Sequence, residues 1–160
     1  MRPPGWFLPD DLLCNMKVIE PSTPEEYQRY YELRWKILRS PWNQPRGSEQ
    51  DDMEQSSHHL MIVENDHDVI AVGRLHFNSI REAQFRYMAV DIAQQRRGAG
   101  TLLLEALESK AAELGAACIV LDAREHALRF YHKQGYQAEG PGQVLFNTIP
   151  HVKMRKYIIL

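Results

Sequence analysis

The sequence predicts an α/β fold of the α+β kind: one mixed, mostly antiparallel sheet of about seven strands with helices packed on it. Three observations lead there. Short apolar and aromatic runs at 17–19, 59–64, 69–78, 83–90, 117–122, 136–139 and 152–158 are bounded by polar or glycine-containing turns. Two of the intervening segments, opening near Thr23 and near Gly98, carry apolar residues at three- and four-residue spacing. The stretch Ala83 to Asp122 reads strand–helix–strand, which returns as a parallel, right-handed crossover.

Each element has a local cause. Residues 1–15, with three prolines and no period, read as an extended N-terminal arm docked through Trp6, Phe7 and Leu8, ahead of a single domain over 16–160. Thr23-Pro24-Glu25-Glu26 forms a capping box with proline at the first helical position. The helix behind it carries Tyr27, Tyr30, Tyr31, Trp35 and Leu38 on one stripe, and Pro41 ends it. From Ser40 to Ser57 the chain is polar, a connection long enough to be functional or mobile. Its acidic run Glu49 to Glu54 is expected to be a solvated loop, the attraction of a cationic amine being the other reading. Three antiparallel strands follow with short turns, at Asn65 to Asp68 and Ser79 to Glu82. Gly98-Ala99-Gly100 opens a helix that buries Leu103, Leu104, Leu107, Ala111 and Leu114, and Gly115 stops it in the left-handed conformation. Ala117 to Asp122 is continuously apolar, as in a strand buried on both faces. A helix over about Glu125 to Gln134 stops at Gly135, and two closing strands flank a Gly/Pro loop.

Bulk properties narrow the function. Apolar residues make up 44% of the 160, charged residues 25%, and the net charge is −2, so no overall basic field draws the chain to nucleic acid or anionic lipid. No stretch reaches membrane-spanning length and the N-terminus lacks the form of a signal peptide, so a cytoplasmic protein is expected. Cys14 and Cys118 make no disulfide framework; Cys118 sits in an apolar run and reads as a buried thiol. The pair His58-His59 invites a metal, but adjacent strand residues face opposite ways and no third ligand has helpful spacing, so none is expected.

The chemistry concentrates at Gln95-Arg96-Arg97-Gly98-Ala99-Gly100. A strand running into this loop and then a helix makes an anion site, because the first helical N–H groups lack internal partners and the helix dipole adds positive charge. The glycines leave room for phosphate oxygens, and Arg96 and Arg97 add charge beside them. A dinucleotide fold would need glycine where Leu103 stands, and no GK[ST] follows for a P-loop.

Gln95-x-x-Gly98-x-Gly100 resembles the Q/R-x-x-G-x-G/A signature of the GNAT superfamily of acetyltransferases. Ala127-x-x-Phe130-Tyr131-x-x-x-Gly135-Tyr136 is similar to that family's second block, and the likeness covers roughly 17–158. Leu33-Arg34, the acidic loop around Asp51-Asp52, His59 and Ile149 to Met154 resemble the ElaA-like branch. The stretch Tyr30 to Arg74, with Arg124-Glu125, looks closer still to the acetyltransferase half of GNAT–thioesterase fusions, with no second domain expected after Leu160. The resemblance implies that amides from Arg96 to Gly100, with Gln95 leading in, hold the pyrophosphate of acetyl-CoA. It implies that Met88-Ala89-Val90 pairs with the pantetheine arm where two parallel strands splay apart, and that Met88 or Val90 N–H meets the oxyanion.

Within that frame Tyr131 occupies the general-acid position, its other reading being a core tyrosine beside Phe130. Arg124 departs from the asparagine many members carry, and is expected to reach a phosphate or an anionic substrate group. Arg34, His59, Arg74 and His151 match the ElaA-like pattern and are expected to line the acceptor pocket. His59, His76, Glu82 and His151 are the candidates for a base. Three functions stay open: acetyl transfer from acetyl-CoA to a small amine by direct attack, malonyl-thioester decarboxylation or acyl transfer with an acyl carrier protein, and a non-catalytic CoA-binding module. A homodimer through the aromatic first helix or the N-terminal arm is also left open.

Overall fold

A computed structural model describes residues 15–158. The arm expected over 1–15 therefore lies outside the described residues, Asn15 excepted, and so does Cys14. The elements are β1 (Met16–Ile19), α1 (Pro24–Leu38), β2 (His58–Glu64), β3 (Asp68–Phe77), β4 (Glu82–Val90), α2 (Ala99–Glu113), β5 (Cys118–Arg124), α3 (Leu128–Lys133), β6 (Gln137–Leu145) and β7 (Ile149–Tyr157). Short 3₁₀ turns precede α2 and α3 and follow α1. The strands form one seven-stranded sheet in the order β1-β2-β3-β4-β5-β7-β6. The expected crossover is present: β4 and β5 are parallel, with partners from Glu82↔Cys118 to Phe85↔Leu121.

The described residues group into two compact units, one from 15–74 with 87–107 and one from 75–86 with 108–158. In the first, the Thr23 hydroxyl accepts from the Glu26 N–H at 3.1 Å while Glu26 Oε1 accepts from the Thr23 N–H at 3.1 Å. This box sets where α1 begins, and hence which face it buries. That face is Tyr30, Leu33 and Arg34, and Tyr30 and Leu33 cluster with Met61, Val63, Val72 and Ala89. Asn65 and Asp66 both take positive φ (55° and 61°), and the His67 N–H bonds the Glu64 carbonyl, closing a two-residue hairpin between β2 and β3. Gly73 sits on β3 against Leu103, Leu107 and Met88, where an added Cβ would lie 2.9 Å from Leu107.

In the second unit β7 pairs antiparallel with β5 and with β6. The closing strands are longer than the sequence indicates. Gly140, Pro141 and Gly142 lie inside β6, where register shifts after Ala138 and after Pro141 absorb them. The reversal falls instead at Phe146-Asn147, both at positive φ, with the Thr148 N–H bonded to the Leu145 carbonyl. Phenylalanine is an unusual residue for that conformation, so composition gave no cue. The helix expected over 125–134 is a 3₁₀ turn, Glu125–Ala127, followed by the short α3.

Gly115 and Gly135 end α2 and α3 as expected, at φ 95° and 94°. Each makes the double hydrogen bond of a Schellman cap: Gly115 N–H to Ala112 and Ala116 N–H to Ala111, then Gly135 N–H to His132 and Tyr136 N–H to Tyr131. A Cβ at Gly115 meets nothing within 4 Å. Gly115→Ala therefore isolates backbone strain, and chemical denaturation should show a loss of about 1–2 kcal/mol.

Candidate functional site

The loop after β4 is shaped before any side chain is considered. The Asp91 carboxylate caps a 3₁₀ turn at Ile92–Gln94 by accepting from the Ala93 N–H. The chain then takes Gln95 extended, Arg96 at φ 67° and Gly98 at φ 88° before α2 begins at Ala99. The Leu102 N–H bonds the Gly98 carbonyl, so the N–H groups of Ala99, Gly100 and Thr101 precede the first intrahelical donor. Those N–H groups and the helix dipole together make the start of α2 favourable to an anion. Gln95, Arg96 and Gly98 are exposed. Arg97 is not free for a ligand in this state: it ion-pairs with Glu64 at 2.8 Å and bonds the Gln94 side chain.

Upstream of the loop, β4 carries Met88, Ala89 and Val90 beyond its last partner pair with β5. Tyr87, within this strand, has φ 55°. A bulky residue is rare there and is held only where its surroundings insist.

Those surroundings are charged. Arg34 and Arg74 are 0% exposed, which is tolerable only if each guanidinium is neutralised and hydrogen-bonded. Glu54 bridges them, Oε1 to Arg34 Nη1 at 2.9 Å and Oε2 to Arg74 Nη1 at 2.7 Å. Asp51 grips Arg74 with both oxygens, at 2.6 and 3.1 Å. Arg34 also donates to the Glu49 carbonyl at 3.0 Å and to the Tyr30 oxygen at 2.7 Å. The acidic run is thus a correction to the sequence reading. Glu49 is buried, and Asp51 and Glu54 are internal counter-ions rather than a solvated loop. The expected set Arg34, His59 and Arg74 does come together, around these carboxylates, while His151 belongs to the other unit. Beside the network a cavity of ≈ 650 Å³ is walled by Tyr27, Tyr31, Asp51, Asp52, Glu54 and His59 among others. Burial and the nearby Glu54 carboxylate push the Tyr31 phenol up to about 12.

The base candidates differ in what their nitrogens already do. His59 Nε2 donates to the Glu54 carbonyl at 2.8 Å, and its Nδ1 lies 2.9 Å from the Tyr30 hydroxyl, whose proton it shares with the Gly73 carbonyl at 3.1 Å. Both nitrogens are committed, and burial lowers its pKa, so His59 is a neutral structural group. Glu82 is held ionised by the Asn78 amide and by Arg155, which bonds it at 2.9 Å. His76 Nε2 meets Asn78 Oδ1 at 3.2 Å. His151 differs: Nδ1 donates to the Gln143 and Ile149 carbonyls, each at 3.1 Å, which fixes the lone pair on Nε2. Burial lowers its pKa, and Arg124, directly opposite in the β5–β7 ladder, adds to the effect. Tyr131 is buried between Phe130 and Tyr136 rings at 5.1 and 5.7 Å, and burial raises its phenol well above the ordinary value. Cys118 is a buried free thiol whose sulfur accepts from Arg155 at 3.0 Å. Among the described residues no group of three or more His, Cys, Asp or Glu could hold a metal ion, and no helix is long and apolar enough to cross a membrane.

Sequence reasoning missed Tyr87 and the pairing of Glu54 with both arginines. The one available cue was Tyr30 and Arg34 at i, i+4 on α1, spaced to touch.

Two consequences for stability follow from the buried polar groups. Tyr30→Phe leaves Arg34 Nη2 and His59 Nδ1 without their oxygen and should cost about 1–3 kcal/mol by denaturant titration. His59 and His151 are both held below their unfolded value near 6.5. The unfolded chain therefore binds more protons in the window just below that value, so stability should drop as pH is lowered through it, and thermal melts should show a lower midpoint at pH 5.5 than at pH 7.5.

A family model described as the acetyltransferase (GNAT) family matches residues 27–136. The chain is 28% identical over 141 residues to the uncharacterized N-acetyltransferase YjcF of Bacillus subtilis (strain 168), covering 88% of this chain and 99% of that one. The fold is similar to that of Escherichia coli ElaA, with a TM-score of 0.72, 16% identity and coverage of 88% and 97%. It is also similar to an aminoglycoside 6'-N-acetyltransferase solved in complex with coenzyme A, with a TM-score of 0.74, 18% identity and coverage of 91% and 97%. With a family match over most of its length, two sequence blocks in order and a seven-stranded mixed sheet around a parallel pair, the chain belongs to the acetyltransferase (GNAT) family.

Proposed function

We propose that the protein transfers an acetyl group from acetyl-CoA to a small amine by direct attack. The observation that carries this reading is the turn at 95–100, exposed at Gln95, Arg96 and Gly98, left-handed at Arg96 and Gly98 and leading straight into α2. It offers a diphosphate the N–H groups and helix dipole of a helix start, and a protein of similar fold is known with coenzyme A bound. Arg96 is the cation at hand, and Arg97 would have to leave Glu64 to add to it. The pantetheine amides would pair with Met88, Ala89 and Val90, whose backbone orients a thioester without any side chain. Arg124, beside His151, would meet a phosphate or an anionic group of the substrate.

Transfer needs a neutral amine, a donor for the oxyanion and protonation of the departing thiolate. We assign the base to His151, because its neutral ring presents Nε2 as a lone pair. We assign the acid to Tyr131: burial keeps its O–H protonated, and the same desolvation makes a thiolate expelled nearby more basic. His59 and the two buried arginines then shape the acceptor side from behind, through Glu54 and Asp51 at the cavity wall. We also assign the chain to the ElaA-like branch, on Leu33-Arg34, Asp51-Asp52, His59 and Ile149 to Met154, a reading supported by the likeness of fold to ElaA.

Calorimetry with CoA should give saturable binding, which Gly98→Val weakens strongly; a chain that takes up no CoA would sink the proposal. With an accepted amine, Tyr131→Phe should lower turnover while leaving CoA affinity nearly unchanged. The kcat/KM profile should hold its plateau to below pH 6.5 and then fall as His151 protonates, and His151→Gln should abolish that acid limb.

A further inference from the structure

The left-handed residue inside β4 calls for a cause. Tyr87 has φ 55° in the middle of a strand, a conformation that costs a bulky residue about 1–3 kcal/mol and persists only when its surroundings over-determine it. Three guanidinium groups surround its ring. Arg34 lies 4.3 Å from the ring centroid, Arg74 4.8 Å and Arg39 5.5 Å. Cations at these distances are attracted to an aromatic face, more strongly where water is excluded. The Tyr87 hydroxyl adds a 3.4 Å contact to Asp51 Oδ2.

The arginines cannot drift from the ring. Arg34 and Arg74 share Glu54, Arg74 is held twice by Asp51, and Arg34 is packed against the Tyr30 and Tyr31 rings at 4.9 and 5.0 Å. Two cations and two anions alternate in a chain, Arg34–Glu54–Arg74–Asp51, whose formal charges cancel; loss of Glu54 at its centre would leave Arg34 buried without its carboxylate and Arg74 with Asp51 alone. Tyr87 immediately precedes Met88, and a left-handed residue in a strand turns the following peptide out of the regular alternation.

We propose that the Arg34–Glu54–Arg74–Asp51 ion-pair chain is a positioning device for acyl transfer: by clamping the Tyr87 ring it holds the left-handed kink that aims the Met88–Val90 backbone at the thioester. These four residues and Tyr87 act on the reaction through the strand and do not touch the reacting atoms. The inference rests on the reading of Met88–Val90 as the thioester-binding segment. It adds to that reading a reason why a loop residue as remote in sequence as Asp51 should alter the chemistry.

The test uses the full chain with CoA and with acetyl-CoA carrying carbon-13 at the thioester carbonyl. Calorimetry reads the affinity for each, isotope-edited infrared spectroscopy reads the carbonyl stretch of the bound thioester, and thermal melting confirms folding. In the wild type the bound carbonyl band should lie below its position in water. Tyr87→Phe keeps the ring and should keep that shift. Tyr87→Ala should return the band toward its free position and weaken acetyl-CoA about three- to tenfold, the loss of one hydrogen bond, while CoA itself binds as before. Asp51→Asn, at the partly exposed end of the ion-pair chain, should give the same change in smaller degree in a folded protein, and serves if Tyr87→Ala does not fold. An unchanged band and affinity ratio in the folded variants would overturn the positioning role while leaving the function intact. A wild type that binds no CoA would overturn the function and this inference with it.

Discussion

Two guanidinium groups withdrawn entirely from water are the constraint around which the first unit is organised. An unpaired cation in that position would cost far more than any single packing contact returns, so the chain must deliver a carboxylate to each. It does so with the connection after α1, which the fold otherwise has no reason to draw inward. Glu54 and Asp51 come from that connection, and the Glu49 carbonyl fills a further donor on Arg34. Once the charges are matched, the remaining donors dictate their neighbours in turn: Arg34 requires the Tyr30 oxygen, Tyr30 approaches His59, and His59 closes on the Glu54 carbonyl. A segment rich in charge is thereby made as fixed as an apolar core.

Much of the architecture was legible because it depends on local signals. The capping box at Thr23, the left-handed glycines at 115 and 135, and the strand–helix–strand order from Ala83 to Asp122 each follow from a few neighbouring residues. The glycine-bearing loop was legible for the same reason, since two glycines before an apolar helical period announce an open helix start. The family blocks added identity to a geometry already indicated by the chain itself.

What was not legible is what depends on contacts far apart in sequence. The acidic run looked like a solvated loop because its partners Arg34 and Arg74 lie some 20 residues away on either side, and nothing local marks a carboxylate as buried. The same distance hid the fact that both arginines are consumed in ion pairs. A strand interior with tyrosine at positive φ gives no sequence cue, and neither does a reversal at Phe146-Asn147. The sequence supplied four equal candidates for a base, three of them histidines; only hydrogen-bond partners separate one ring with a nitrogen to spare from another with both engaged.

The buried ion-pair chain also bears on how this sequence can change over time. Its members are energetically interdependent, so replacing one alone upsets the charge balance of its neighbours, most of all at Glu54 on which Arg34 depends, whereas exchanging partners together preserves balance. Substitutions at 34, 51, 54 and 74 should therefore be inherited in concert rather than accumulate singly. A lineage that has acquired this arrangement is confined to it until a compensating pair arises, and residue 87 is carried along in that confinement.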